Sequence, residues 1–340
     1  MINRTIIIAE AGVNHNGSIG TAKELVKKAA ECGADYVKFQ TFITEDSISK
    51  NAKKAKYQIN NSKNKNESQF DMVKKLELSK KDHYILIKEC EKHSIKFLST
   101  AFDMNSIDLI SDLNLDFFKI PSGEIDNFPY LLKVANKFQN IILSTGMATI
   151  EEIEWAYNIL ISNGKKKSIT ILHCNTEYPT PLTDVNLKAI NHIKSKLNVD
   201  IGYSDHTLGI EVPIGAVTMG AKIIEKHFTL DNSMDGPDHK ASLDPIHFKK
   251  MVDSIRNIEL AISGSETKSP SDSEKKNIKI VRKSIYLNKN LNKNDLILEE
   301  DLITLRPQNG IKASEWLNVI GKKINKDKYK GDCLKIEDIN

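Results

Sequence analysis

Eight short apolar segments recur along the chain, each closing on polar residues, and this recurrence constrains the fold more tightly than any other feature. They run over 5–10, 36–41, 95–100, 117–122, 141–145, 169–175, 200–206 and 222–229, and are rich in β-branched and aromatic residues. Helical patterns lie between them. Ala22, Leu25, Val26 and Ala29 fall on one helical face, with Gly33 as a stop. Thr149 and Glu152 have capping-box spacing before a face of Ile153, Ala156, Tyr157, Leu160 and Ile161, closed by Gly164. Leu187, Ile190 and Ile193 mark another helix. Asp244-Pro245 opens a last one, with Phe248, Met251, Val252 and Ile255 inward. This alternation predicts an α/β fold, a (β/α)8 TIM barrel. A doubly wound open sheet alternates too. However, no G-x-G-x-x-G opens the first helix, and nearly every strand ends in chemistry-bearing residues. In a barrel, all eight C-terminal strand ends face one pocket.

The barrel pattern occupies 1–263. A stretch rich in Ser, Lys, Glu and Asp follows and is expected to be a linker over 264–281, and 282–340 reads as a small domain that is marginal alone. The polar stretch 51–71 interrupts the alternation and is expected to be a long loop over the barrel mouth, either a lid or a passive insertion. Lys+Arg total 49 against 45 Asp+Glu, a net charge of +4 with lysines scattered among glutamates, which is the look of solvated helix faces and not of a nucleic-acid stripe. No apolar run approaches a membrane span, and the start of the chain lacks the apolar centre of a signal peptide. The four cysteines have no metal or redox spacing, so a cytoplasmic location and structural roles are expected.

The strand ends carry Glu10, Asn14 and His15, then Lys38 and Gln40, Ser99 and Thr100, Lys119, Ser122 and Glu124, Ser144, then His173, Asn175 and Tyr178, Ser204, Asp205 and His206, and finally Glu225 and His227, with Asp238 in a later turn. Two lysines with hydroxyls and glycine turns in one cleft suit a phosphorylated anion. The alternative for each lysine alone is a snorkelling surface chain, but apolar residues flank both. His206 and His227, near the ends of neighbouring strands, suit a shared divalent ion, with Glu10 and Asp238 completing or supporting the shell. Two hydrogen-bonded barrel histidines are the alternative. His83, His93, His192 and His247 are expected to be solvated on helices, and Trp155 and Trp316 to pack.

Together these strings are more specific. Glu10-Ala11-Gly12-Val13-Asn14-His15, Val37-Lys38-Phe39-Gln40, Lys119-Ile120-Pro121-Ser122-Gly123-Glu124, Ser144-Thr145-Gly146-Met147, His173-Cys174-Asn175-Thr176-Glu177-Tyr178, Ser204-Asp205-His206-Thr207, Glu225-Lys226-His227-Phe228 and Gly236-Pro237-Asp238-His239 resemble, in order, the motifs of the sialic acid synthase family. Arg306-Pro307-Gln308-Asn309-Gly310 is similar to that family's Arg-Pro-x-Asn-Gly. The resemblance implies a C-terminal antifreeze-like (SAF, β-clip-like) domain and condensation of phosphoenolpyruvate with an N-acetylated hexosamine, with C–O cleavage and loss of phosphate. It implies a divalent metal (Mn2+, Mg2+ or Co2+) on His206 and His227. Phosphoenolpyruvate contacts fall on Lys38, Thr100, Lys119, Ser122, Ser144 and Ser204. Sugar contacts fall on Glu10, Gln40, Tyr178 and Asp238, with Glu124 near the reacting carbons. It also implies a homodimer that exchanges SAF domains, so that Arg306 reaches the partner subunit's sugar. Two departures keep every catalytic group: Ala101 stands where proline is usual, and Gln308 where a small residue is frequent.

N-acetylneuraminate synthesis from N-acetylmannosamine is the first expectation. Its alternative is N,N'-diacetyllegionaminate synthesis from a 6-deoxy diacetamido hexose. The string around Gly236-Pro237-Asp238-His239 looks less like the pseudaminate branch. A Schiff-base aldolase is a further alternative. A rival of another class is a non-catalytic carbohydrate- or ice-binding protein. Lys322, Lys323, Lys326, Lys328 and Lys330 crowd the small domain with charge that a flat ice-binding face excludes.

Overall fold

Side-chain alternation along each strand determines the architecture. In the computed structural model, which describes residues 4–55, 58–59, 67–164 and 167–340, eight parallel strands close into a barrel in sequence order. They are β1 (Ile6–Gly12), β2 (Tyr36–Thr41), β3 (Lys96–Ala101), β4 (Phe118–Ile120), β5 (Asn140–Ser144), β6 (Ser168–Cys174), β7 (Asp200–Asp205) and β8 (Ile223–His227). One long helix follows each: α1 (Ile19–Glu31), α2 (Lys80–Lys92), α3 (Met104–Asp112), α4 (Phe128–Lys137), α5 (Ile150–Ser162), α6 (Lys188–Leu197), α7 (Glu211–Thr218) and α8 (Pro245–Ala261). Outward residues such as Ile7, Val37, Phe97, Ile141, Ile171 and Ile224 pack against the helices in the main core. Residues of the opposite parity, Ile8, Tyr36, Leu98, Ile142, Leu172 and Ile223, form a separate apolar plug inside the barrel. Gly202 fits this plug because a Cβ there would lie 2.5 Å from the Ile223 carbonyl oxygen. Two residues further along the same strands, parity brings polar side chains onto the plug, and these begin the site.

The helix signals act as expected. Ala22, Leu25, Val26 and Ala29 are buried on α1. Thr149 and Glu152 make their reciprocal capping box on α5, and the Asp244 side chain caps α8. Two expectations are corrected. His83 is fully buried: it shares the inward face of α2 with Leu86 and Cys90, and its Nε2 lies 2.7 Å from Thr41 Oγ1. Ile161, expected on the inward face of α5, is 44% exposed and so is not core, whereas Trp155, 42% exposed, packs its ring on Phe128 at 6.5 Å. The stretch 264–281, expected as a linker, contains a helix. Ser271 and Glu274 form a capping box that starts α9, Asp272–Val281.

Short helices at Thr44–Ser47 and Gln69–Lys74 lie between β2 and α2. The expected long loop 51–71 falls partly on 56–57 and 60–66, outside the described residues. No helix among the described residues is long and apolar enough to cross a membrane.

The chain divides into two units, Met1–Gly264 and Ser265–Asn340. In the second, β9 (Ser284–Leu287) and β10 (Leu302–Leu305) pair antiparallel. A core of Ile285, Leu287, Leu291, Ile297, Ile324 and Leu334 holds it together. Asp301 and Asp338 are fully buried there, and both accept backbone N–H bonds and pair with lysines.

Candidate active site

Strand register sets Glu10 beside Lys38 and His227, Gln40 and Lys119 beside Thr100, and Ser204 beside Glu225. The result is a buried cluster of four charged side chains. Lys38 Nζ lies 2.7 Å from Glu10 Oε2 and 3.7 Å from Glu225 Oε2, and donates to Thr100 Oγ1 at 2.6 Å. Lys119 Nζ lies 3.6 Å from Glu225 Oε1 and donates to Ser144 Oγ at 2.6 Å. Ser204 Oγ donates to Glu225 Oε1 at 2.9 Å. All four charged residues are buried.

The two carboxylates are driven apart electrically. Burial pushes Glu10 up to about 7, and the nearby Glu225 charge adds to this against the pull of Lys38. Burial acts on Glu225 in the same sense, but Lys119 and Lys38 together outweigh it and hold Glu225 down at about 2. Lys38 stays above its ordinary value because Glu10 and Glu225 overcome its burial. Burial prevails for Lys119 and lowers it. Glu225 thus stands between two cations as a full anion. The sequence shows it at a strand end but does not reveal this pairing, because it depends on which face of β8 points inward.

The two histidines face each other, with ring centroids 5.3 Å apart. Tyr178 packs on both, 4.2 Å from His206 and 5.6 Å from His227. His206 Nδ1 hydrogen-bonds the Asn175 carbonyl. This assigns the proton to Nδ1 and leaves the Nε2 lone pair open. His227 Nδ1 is buried without a hydrogen bond, with Asp238 Oδ2 3.8 Å away. Burial holds His206 down at about 4 and His227 well below its ordinary value, so both rings are neutral at pH 7. Two neutral imidazoles, one with an orphaned nitrogen, fit a divalent ion whose other positions are filled by oxygen ligands. Among the described residues no third His, Cys, Asp or Glu joins them as a ligand set. Glu10, expected to complete or support the shell, is tied to Lys38 instead.

A cavity of about 310 Å³ opens beside this group, lined by Gln40, Glu124, Tyr178, His227 and Asp238 on its polar side. Gln40 Nε2 is 3.4 Å from Glu10 Oε1. Burial raises Asp238 to about 6. It also raises Glu124, whose Oε2 accepts a bond from Asn127 Nδ2 at 2.5 Å. Ser122 Oγ accepts the Gly146 N–H at 2.9 Å, and a Cβ at Gly146 would come within 3.0 Å of it. A cavity of about 680 Å³ lies at the opposite end of the strands, against Thr5, Phe117, Ser168, Asp200 and Lys222, and holds none of the expected site residues. Every expected site residue of the barrel therefore lies at one end of it. Arg306 lies in the second unit, exposed, just after β10.

Two further features support the site from behind. Lys226 points outward from β8 and is fully buried, and Asp205 Oδ2 accepts its Nζ at 2.5 Å. His15 is fully buried, with the Gly17 N–H donating to its Nδ1 at 3.1 Å, so it stabilises the turn after β1.

Comparison with known proteins adds the following. Residues 25–268 match the model of the NeuB family, and residues 282–340 match that of the SAF domain. The chain is similar to an N,N'-diacetyllegionaminic acid synthase of Campylobacter jejuni, with 52% identity covering 98% of this chain and 99% of the relative. It is also similar to a protein of the same name from Legionella pneumophila, with 47% identity covering 98% of this chain and 94% of that one. Among solved structures, the N-acetylneuraminic acid synthetase of Leptospira borgpetersenii, crystallised with citrate, superposes with a TM-score of 0.72 at 35% identity, covering 81% of this chain and 90% of that one.

Proposed function

The chain belongs to the NeuB family, and from that premise we propose that it is an N,N'-diacetyllegionaminic acid synthase. It would join phosphoenolpyruvate to a 2,4-diacetamido-2,4,6-trideoxyhexose with water and release phosphate. One observation carries this reading: two relatives of that name match at 52% and 47% identity over 98% of the chain. N-acetylmannosamine, the acceptor expected first from sequence, becomes the second to assay. The 35% identity to a neuraminic acid synthetase keeps it in view.

In this reading Lys38 and Lys119 bind the phosphate and carboxylate of phosphoenolpyruvate, with the Thr100, Ser122, Ser144 and Ser204 hydroxyls orienting them. Glu10, Gln40, Tyr178 and Asp238 hold the open-chain sugar. A divalent ion (Mn2+, Mg2+ or Co2+), held by His206 and His227, supplies Lewis-acid polarisation of the acceptor carbonyl when bound. Carbon C3 of the enol attacks the sugar's C1: the enol π pair forms the C–C bond, and the C1=O π pair moves onto that oxygen, which takes up a proton. Positive character then develops at C2, where the Glu124 carboxylate stabilises it. Water adds at C2. The C–O bond to phosphate breaks, and both electrons leave with the phosphate, whose charge Lys38 and Lys119 balance. The proposed assembly is a homodimer with exchanged SAF domains, in which Arg306 reaches the partner's bound sugar.

The test uses purified protein, stripped of metal and then loaded with Mn2+, and phosphoenolpyruvate with each sugar in turn. Metal-dependent phosphate release with the diacetamido sugar, with a product of the expected mass, supports the assignment. Release with N-acetylmannosamine alone moves the protein to neuraminate synthesis. No release with either refutes synthase activity.

A further inference from the structure

The cavity at the strand ends has two unlike walls. Catalysis uses the polar one. The other is mostly apolar, with Val13, Phe42, Met72, Val73, Leu76 and Phe102, although Ser47, Gln58 and Gln69 also line the cavity. Val13, Phe42 and Leu76 are buried and pack with Val73 and Phe102 as a cluster separate from the barrel core. The Phe42 and Phe102 rings meet edge to face at 6.3 Å. Separate parts of the chain build this wall: the turn after β1, the residues that directly follow β2 and β3, and the helix Gln69–Lys74 with its exit. None of these six side chains carries a hydrogen-bond donor. These six therefore offer hydrocarbon to whatever part of an occupant packs against them.

We propose that this wall is the subsite for the acceptor's C6 methyl and sets a preference for 6-deoxy over 6-hydroxy sugars, with Val73 and Phe102 as specificity-determining residues. The inference rests on the reading of the site as one that condenses an open-chain hexose. C1 of that chain has to reach the polar end, beside His227 and Glu124. C6 lies five bonds away, so it falls at the far end of the same cavity. A hydroxyl packed against these six side chains leaves water and finds no partner among them, which is unfavourable. An apolar pocket rejects an added hydroxyl only weakly, by about 100-fold at most.

The experiment uses two matched sugar pairs: 2,4-diacetamido-2,4,6-trideoxymannose with its 6-hydroxy counterpart, and N-acetylmannosamine with its 6-deoxy counterpart. Phosphate release gives kcat/KM for the Mn2+-loaded protein and for Val73→Thr and Phe102→Tyr. The native protein is expected to favour the 6-deoxy member of both pairs by about 10- to 100-fold, mainly through KM. Val73→Thr, nearly isosteric, should shrink that ratio several-fold and leave the ratio between diacetamido and monoacetamido sugars unchanged. Equal use of both members, preference for the 6-hydroxy sugar, or an unchanged ratio in both variants overturns the proposal. Faster use of the N-acetylmannosamine pair refutes the assigned acceptor, and the C6 ratio within that pair still tests the wall. If no sugar turns over, the same ratio is read as sugar affinity by calorimetry with phosphoenolpyruvate present, and equal affinities overturn the proposal.

Discussion

Replacing Glu225 with Gln should make the protein less stable when empty and more responsive to a bound anion. Glu225 is ionised at neutral pH because the two lysines beside it overcome its burial. Its oxygens lie 3.7 Å from Lys38 Nζ and 3.6 Å from Lys119 Nζ. At an effective dielectric near 20, each contact is worth about 4–5 kcal/mol of Coulomb attraction. Glutamine has no such attraction but also escapes the cost of burying a carboxylate, so the net loss is about 3–5 kcal/mol, as for other broken buried pairs. For a unit of this size that is a fall in melting temperature of about 6–10 °C. Phosphate or phosphoenolpyruvate bound between Lys38 and Lys119 restores the missing negative charge. In the native protein it has to compete with Glu225 for the same cations. Ligand-induced stabilisation should therefore be larger in the variant. Differential scanning fluorimetry with and without phosphoenolpyruvate reads both effects. A lower melting temperature with an unchanged or smaller ligand response would refute the idea that these lysines form the anion site.

Three other outcomes follow from the same geometry. His206→Ala should abolish metal-dependent turnover while circular dichroism still reports a folded barrel; normal turnover in that variant would sink the metal assignment. Asp205→Ala leaves Lys226 charged, fully buried and without its carboxylate, so it should destabilise by about 3–5 kcal/mol in denaturant unfolding, and near-native stability would show the pair to be dispensable. Asp238 is held up at about 6 by burial. Its carboxylate is therefore ionised above that pH and protonated below it, and the sugar KM should rise as pH falls through 6. In Asp238→Asn the KM should be higher and flat from pH 5 to 7, and a persisting slope would assign the titration to another group.

Much of the barrel was legible in the chain. Parallel strands with a helix after each leave a period that local patterns preserve, and the eight segments lie within two residues of the observed strands. The strand-end residues were also readable as one site, because the topology puts every C-terminal strand end on the same face. Residues on helices were less legible. His83 reads as an isolated polar residue until its spacing to Leu86 and Cys90 is weighed. Ile161 reads as core by its chemistry and spacing, yet near the end of α5 it is 44% exposed.

By sequence alone, then, the chain determined its periodicity, its division into a barrel and a small domain core, and the identity of the groups gathered at the strand ends. Those properties are local, written in spacing and side-chain type. Only the tertiary structure decided which of those groups face one another. Lys226 and Glu225 are neighbours in the chain, yet alternation turns one outward to Asp205 and the other inward between Lys38 and Lys119. Closure of the sheet brings β8 beside β1, so that Glu10 and His227 come into register across more than two hundred residues. Charges placed that way in a buried layer interact several times more strongly than they do in water, and so the same residue types acquire opposite titration behaviour at Glu10 and Glu225.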